Sequence, residues 1–482
     1  MRDLEGKGKH LSLKSGLKFE HWRLDVISVT RCLGHAYTAF DFCFFPYLRD
    51  VGVPFHPLLR MSPTLVYKFG GASVKDAPAL KNLYDILQPR LQKNTVLVVS
   101  AMAKTTNALE AILAKKLAGQ DFSGDWAQVA AFHTGMATVL FPEGDPIFQQ
   151  LEAVYRTALA SLELPLTQAN YEERYDEVVA FGELLSSRLV AAYLSLRGLP
   201  MTWQDARQVI HTNSDFRFAI IDWEKTRAAC QEAWLPLLQE GPMLTQGFIG
   251  ADPQGRTTTL GREGSDFTAA ILATSLDAAS VTIWKDVPGV LNADPKLFAK
   301  AQKFDELGYR EAAEMTYFGA SVIHPKTIKP LANAGIPLFV RSFLDPDAPG
   351  TKIHEQAAAH EVPTLVLKKN QVLVSFKVTD FTFIEEKHIH AIYTQLQQLK
   401  LRANMLQVSA ITVSIVIDAQ LFKLEQLRDA LKSTFEIRYN EELELLTILK
   451  PKVEEIPSLM EGYELLLEQA TRTTYQVVRR KK

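Results

Sequence analysis

The sequence predicts an α/β protein: a doubly wound, mostly parallel sheet followed by a smaller ferredoxin-like α+β module. Three observations carry this. From Thr64 to about Thr351 short apolar runs alternate with segments of helical period. Polar, glycine-bearing turns follow those runs, where an open α/β sheet places its ligands. Past a Pro/Asp/Gly-rich stretch the order becomes β-α-β-β-α-β.

Strands are expected at Thr64–Phe69, Thr95–Ser100, Met243–Ile249, Val281–Trp284 and Ile336–Arg341, each short and apolar enough for burial on both faces. Between them Phe181, Leu184, Leu185, Leu189, Ala192, Tyr193 and Leu196 recur at three and four, which marks one buried helix face. Asp345-Pro346-Asp347-Ala348-Pro349-Gly350 reads as a boundary. Beyond it Val372–Val378, Ile411–Ile417 and Leu443–Leu449 read as strands. Ile389, Ile392, Tyr393, Leu396 and Leu399 trace one helix, and Leu424, Leu427 and Leu431 a second. The tail Tyr463–Val478 adds one strand or two, and Arg479-Arg480-Lys481-Lys482 reads as a solvated terminus.

With 482 residues, 47% of them apolar, the chain can bury a large core in two or three domains. A formal charge of −2 without a basic stripe argues against nucleic acid or an anionic membrane as the dominant partner. Cys32, Cys43 and Cys230 are too scattered for a disulfide framework or a zinc site, so a reducing, cytoplasmic setting is expected. Apolar runs such as Val96 to Ala103 have strand length, too short to cross a bilayer. Residues 1–60 differ in texture, with an aromatic clump Phe42–Tyr47 and the acids Asp3, Glu5, Glu20, Asp25 and Asp41, which a transit peptide avoids. They are read as a non-native or disordered extension, with Met61 as the start; a catalytic domain is expected over 61–355 and a regulatory region over 365–482.

In Val66-Tyr67-Lys68-Phe69-Gly70-Gly71-Ala72-Ser73-Val74 a strand runs into a lysine and two glycines. This is either an ordinary turn or a phosphate cradle, in which glycines free the backbone N–H groups and the lysine adds a point charge. In Ser100-Ala101-Met102-Ala103-Lys104-Thr105-Thr106 the hydroxyls either cap a helix or touch a ligand. Phe181-Gly182-Glu183 is expected to open the amphipathic helix, where Glu183 either favours the helix dipole or binds an amine. Leu260-Gly261-Arg262-Glu263-Gly264-Ser265-Asp266 offers an arginine fork for a carboxylate and an aspartate to orient a lysine or a metal-bound water. Ile283-Trp284-Lys285-Asp286-Val287-Pro288-Gly289-Val290-Leu291-Asn292-Ala293-Asp294-Pro295-Lys296 places cations on both sides of a turn, which suits nucleotide phosphates. His211 and His324 lack partners at metal-ligand spacing and read as packing or surface residues.

With these five segments in this order, the sequence from about Leu65 to Val478 resembles the aspartate kinases of the amino acid kinase family. The resemblance implies transfer of the γ-phosphoryl group of ATP, accompanied by Mg²⁺, to the side-chain carboxylate of L-aspartate. It implies that Lys68 stabilises the transferring group with Asp266 orienting it. Arg262 would bind the α-carboxylate and Glu183 the ammonium group, while Ser100, Thr106 and Ser265 place the reacting carboxylate. The nucleotide would meet Lys68, Gly70, Gly71, Ser73, Lys285, Asp286, Leu291, Lys296 and Ser321. No protein residue is implied as a resident metal ligand.

There are departures. Ser321 stands where many relatives have a phosphate-binding lysine, Leu291 where tyrosine is common and Lys296 where arginine is frequent; Lys285 or Lys326 could supply the missing cation. The C-terminal module resembles ACT regulatory domains, one full unit and one abbreviated, which implies a homodimer and an amino-acid effector such as lysine or threonine. Glu385-Glu386-Lys387-His388-Ile389 replaces the usual Gly-Phe-Leu turn, and Asn404 replaces an aspartate, so weak or altered feedback is expected. The chain carries no second Gly-x-Gly-x-x-Gly unit, so a monofunctional kinase is expected. The alternatives are a catalytically weak or inactive amino-acid-sensing homologue and a kinase for another acidic metabolite.

Overall fold

The structure, a computed structural model, describes residues 63–320, 322–358, 360–380 and 382–482. The expectations for residues 1–60, Met61 and Ser321 lie outside the described residues.

The first sheet draws on β1 (Leu65–Phe69), β2 (Thr95–Val99), β3 (Thr202–Gln204) and β4 (Met243–Gln246). Next in the chain, β5 (Ile249–Ala251) and β6 (Thr257–Thr259) form a separate antiparallel pair. β7 (Ser280–Lys285), β8 (Glu306–Gly308), β9 (Leu338–Ser342) and β10 (Thr351–His354) complete the first sheet in the order β3-β4-β2-β1-β7-β9-β10-β8. All neighbours are parallel except β9 and β10. The expected mostly parallel sheet is what forms, because its central strands are buried along their length: every residue of Thr95–Val99 is inaccessible. Helices Tyr171–Leu196 and Gly264–Ser275 pack on its centre.

Three expectations change here. The run Met243–Ile249 is not one strand, because Phe248 takes a left-handed φ of +73° and Gly247 closes on Ser265, where a Cβ would lie 2.4 Å from the serine Cβ. Asp345–Gly350 is not a boundary but the turn joining β9 to β10, with Gly350 at φ +74° against the Val340 carbonyl. The helix expected to open at Phe181 starts ten residues earlier, at Tyr171. Its length and apolarity would let it cross a bilayer, yet 83% of its apolar stretch is buried inside the protein.

The second sheet follows the expected β-α-β-β-α-β order: β11 (Thr364–Val378), helix Glu386–Gln398, β12 (Ala403–Val408), β13 (Thr412–Asp418), helix Leu421–Leu431 and β14 (Phe435–Leu449). β15 (Tyr463–Ala470) and β16 (Thr474–Lys481) add a hairpin, giving six antiparallel strands in the order β12-β13-β11-β14-β16-β15. Alternation decides the faces: Val372, Val374 and Phe376 meet Ile392, Leu396, Leu424 and Leu427 under the helices, while Leu373 turns to the other side. β11 is interrupted by a bulge near Asn370, whose φ is +53°. At its start Leu365 N–H donates to the Asn292 carbonyl of the first sheet's loop.

The basic terminus is corrected in part. Arg479 is only 3% exposed, ion-paired with Glu444 at 3.1 Å and stacked 3.7 Å over Tyr463. Its stem is part of the sheet, so only the residues after it are solvated.

Candidate active site

A cavity of about 540 Å³ opens at the carboxyl ends of β1, β2 and β7. Lys68 lies one residue from the end of β1, and β7 pairs beside it, bringing Lys285 to the same edge. Asp266 comes from the first turn of helix Gly264–Ser275 and receives both lysines: Lys68 Nζ at 2.6 Å from Oδ1 and Lys285 Nζ at 3.0 Å from Oδ2. Burial alone would push this carboxyl up; the two ammonium groups outweigh it and hold Asp266 below the usual range, ionised.

Gly71 lines the cavity and must be glycine, since a Cβ there would lie 2.7 Å from the Ala101 carbonyl oxygen. Ser100 and Thr106 also line it, and neither is a helix cap: Lys104 takes the N-cap position of helix Thr105–Leu117 without a side-chain bond. Ser186 Oγ donates to the Ser100 carbonyl at 2.6 Å, tying the strand end to the long helix.

Glu183 sits in the middle of helix Tyr171–Leu196, which removes the helix-dipole explanation. It is 3% exposed, and its Oε2 has no partner among the described residues. Burial pushes its carboxyl up to about 8, opposed by the Ala101 N–H and by Lys68. Arg262 stands exposed at the cavity mouth, and Ser265 is buried in its wall. Gly70, Ser73, Asp286, Leu291 and Lys296 do not line this cavity. Leu291 instead forms a bridge with Lys303, and Lys296 is exposed on the Asp294 turn. Of the two replacement cations, Lys285 lines the cavity and Lys326 does not.

Several lining residues were not foreseen. Glu263, the N-cap of helix Gly264–Ser275, adopts φ +54°, a left-handed conformation costly for a side-chain-bearing residue. Its buried Oε2 has no partner among the described residues, and burial raises its carboxyl despite Lys285. Asp176 accepts from the N–H groups of Arg217 and Thr259 and from Thr259 Oγ1, at 2.7 to 3.0 Å, so the long helix fixes the two loops that bring Arg217 and Arg262 to the mouth. Phe218 and Phe248 supply apolar wall. Glutamate at position 263 carried a signal, since glycines flank the Arg262-Glu263 pair; Asp176, in the second turn of its helix, carried none.

Fold and cavity together define a class: a mostly parallel α/β protein holding preset cations and uncommitted carboxylates at its strand ends, an arrangement made for small charged molecules. Residues 63–342 match the amino acid kinase family. The chain is 34% identical over 364 residues to lysine-sensitive aspartokinase 3 of Escherichia coli, covering 74% of this chain and 79% of that one. It is 29% identical over 431 residues to chloroplastic aspartokinase 1 of Arabidopsis thaliana, covering 86% and 73%. The structure of E. coli aspartokinase III with aspartate and ADP superposes with a TM-score of 0.73 at 28% identity, covering 86% of this chain and 96% of that one. The form with lysine and aspartate gives 0.70 at 29%, with the same coverage. The chain belongs to the amino acid kinase family, in its aspartokinase branch.

Proposed function

We propose that this chain transfers the γ-phosphoryl group of ATP to the β-carboxylate of L-aspartate, giving 4-phospho-L-aspartate and ADP. The observation that carries the reading is the Lys68–Asp266–Lys285 triad, facing a cavity that also holds Glu183 and Arg262. Phosphoryl transfer needs positioning and charge stabilisation rather than a protein nucleophile. Lys68 neutralises the moving group, and Asp266 holds both lysines in place. Lys285 takes the place of the cation lacking at Ser321. Arg262 takes the α-carboxylate, Glu183 the ammonium group, and Ser100, Thr106 and Ser265 orient the reacting carboxylate. Gly70, Ser73, Asp286, Leu291 and Lys296 are assigned to the nucleotide's outer contacts.

Mg²⁺ would accompany ATP and supply shielding of the converging negative charges, held mainly by phosphates and water. Glu263 Oε2, which has no partner among the described residues, would be available to accept a hydrogen bond from water accompanying such an ion. The division into a catalytic part, 61–355, and a regulatory part, 365–482, is proposed with it, as are a homodimer through the regulatory part and a cytoplasmic location. Asn404 already engages Lys368, Gln371 and Asp418, at 2.8 to 3.0 Å, which favours weak or altered amino-acid feedback.

Purified protein incubated with ATP, Mg²⁺ and a panel of acidic substrates, with hydroxylamine to trap acyl phosphates, tests the reading. A hydroxamate from aspartate alone is expected. Trapping with another acid instead reassigns the substrate, and trapping with none points to an inactive sensing homologue.

A further inference from the structure

Arg262 takes the α-carboxylate in the proposed reaction, and a second arginine, Arg217, lines the same cavity. The two are neighbours through their backbones. A Cβ on Gly261, the residue before Arg262, would lie 3.1 Å from the Arg217 carbonyl oxygen. Ala219 N–H donates to the Thr259 carbonyl at 3.0 Å, which locks the Arg217 loop alongside the end of β6. Asp176 clamps the same two segments from the long helix, accepting from Arg217 N–H at 3.0 and 2.9 Å and from Thr259 N–H at 2.7 Å.

Arg217 has a φ of +68°, in the left-handed region where glycine sits freely and a side chain adds strain. The clamp uses only its N–H, which glycine would supply equally well. A side chain kept at such a position points to a use of its own. The guanidinium lies 4.3 Å over the ring of Tyr175, itself a wall of the cavity, and its Nε reaches Glu172 at 3.3 Å. Glu172 is half exposed, and an ion pair of this kind contributes little. A carboxylate arriving in the less solvated cavity offers the fork a stronger, charge-assisted partner.

We propose that Arg217 is a second substrate-binding arginine, which leaves Glu172 and joins Arg262 on the α-carboxylate of the amino acid in the cavity. The proposal rests on the aspartate reading and deepens it. Two guanidinium forks supply donors for both oxygens of one carboxylate, and so make that group a requirement of the site.

Calorimetric titration of the full chain with three ligands tests this. L-Aspartate carries both carboxylates and the ammonium group, succinate lacks the ammonium group, and β-alanine lacks the α-carboxylate. Arg217→Gly should bind aspartate and succinate about tenfold more weakly than wild type, and β-alanine equally well. Its thermal midpoint should stay at or above the wild-type value, because glycine suits the left-handed φ. Glu172→Gln should bind aspartate at least as tightly as wild type, since it only frees the fork. Aspartate binding unchanged in Arg217→Gly overturns the proposal. So does an equal loss for β-alanine, which would mean a loosened cavity, or an equal loss in Glu172→Gln, which would make the ion pair itself the contribution of Arg217. Wild-type protein that binds none of the three ligands overturns the aspartate reading and this proposal with it; wild-type protein that binds aspartate leaves that reading standing whichever way Arg217 falls.

Discussion

The two acidic walls of the candidate cavity are equally buried but differ in charge, one anionic and one neutral. On one, Asp266 is held ionised by two lysines; on the other, Glu183 has one backbone N–H and a distant lysine, and burial raises it to about 8. Burial therefore does not set the charge of a carboxylate here; its partners do. The Asp266 wall is complete before any ligand arrives. The Glu183 wall stays unfinished until a cation reaches it.

Breaking the complete wall should have the largest effect. Asp266→Asn leaves two largely buried ammonium groups without their anion, at a cost of about 3 kcal/mol in unfolding free energy, read from chemical denaturation; an unchanged midpoint would show that water already screens the lysines. Lys68→Ala should lower turnover by the equivalent of ~3 kcal/mol, roughly a hundredfold or more, with aspartate KM nearly unchanged. Lys285→Ala should act on ATP, raising its KM by about tenfold; an unaltered ATP KM would remove Lys285 from the phosphate site.

The unfinished wall predicts a proton. Glu183 carries one near neutrality and must give it up to meet an ammonium group, so aspartate binding should release a proton below pH 8 and aspartate KM should fall as pH rises toward 8. Calorimetry in buffers of different ionisation enthalpy reads the release, and Glu183→Gln should abolish it. Linkage has a matching sign: the folded state binds more protons than the unfolded one between about pH 4.5 and 8, so this residue's contribution to stability falls as pH climbs through that window. The smallest effect belongs to Glu263→Gly, which relieves a left-handed backbone and should stabilise the fold by about 1 kcal/mol, seen as a higher Tm.

Much of the complete wall was legible in the sequence. Lys68, Asp266 and Lys285 each sit at a strand end or in a helix's first turn, positions that apolar runs and glycines announce. Ser100, Thr106, Arg262 and Ser265 were legible for the same reason, since each lies in a turn after a strand or in the first turn of the helix that follows it. Tertiary closeness was not. The break at Gly247 exists because Ser265 lies against it, and the turn at Asp345–Gly350 belongs to the first sheet because β10 pairs back onto β9. Glu183 was found, but its setting was misread: local pattern shows a helix face, while the start of a helix depends on caps, and Asn170 provides no side-chain cap. Arg479 looked like a charged tail because its acceptor, Glu444, is thirty-five residues away.

β11 spans fifteen residues, from the bond to Asn292 at its start into the core under helices Glu386–Gln398 and Leu421–Leu431 at its end. A one-residue slip would turn Val372, Val374 and Phe376 out of that core, and a two-residue slip would move the strand by roughly 7 Å and tear its bond to Asn292. Sliding is closed to it. Motion passing between the two sheets along this strand has to be a tilt, and the bulge at Asn370 is where the strand can pivot without changing register.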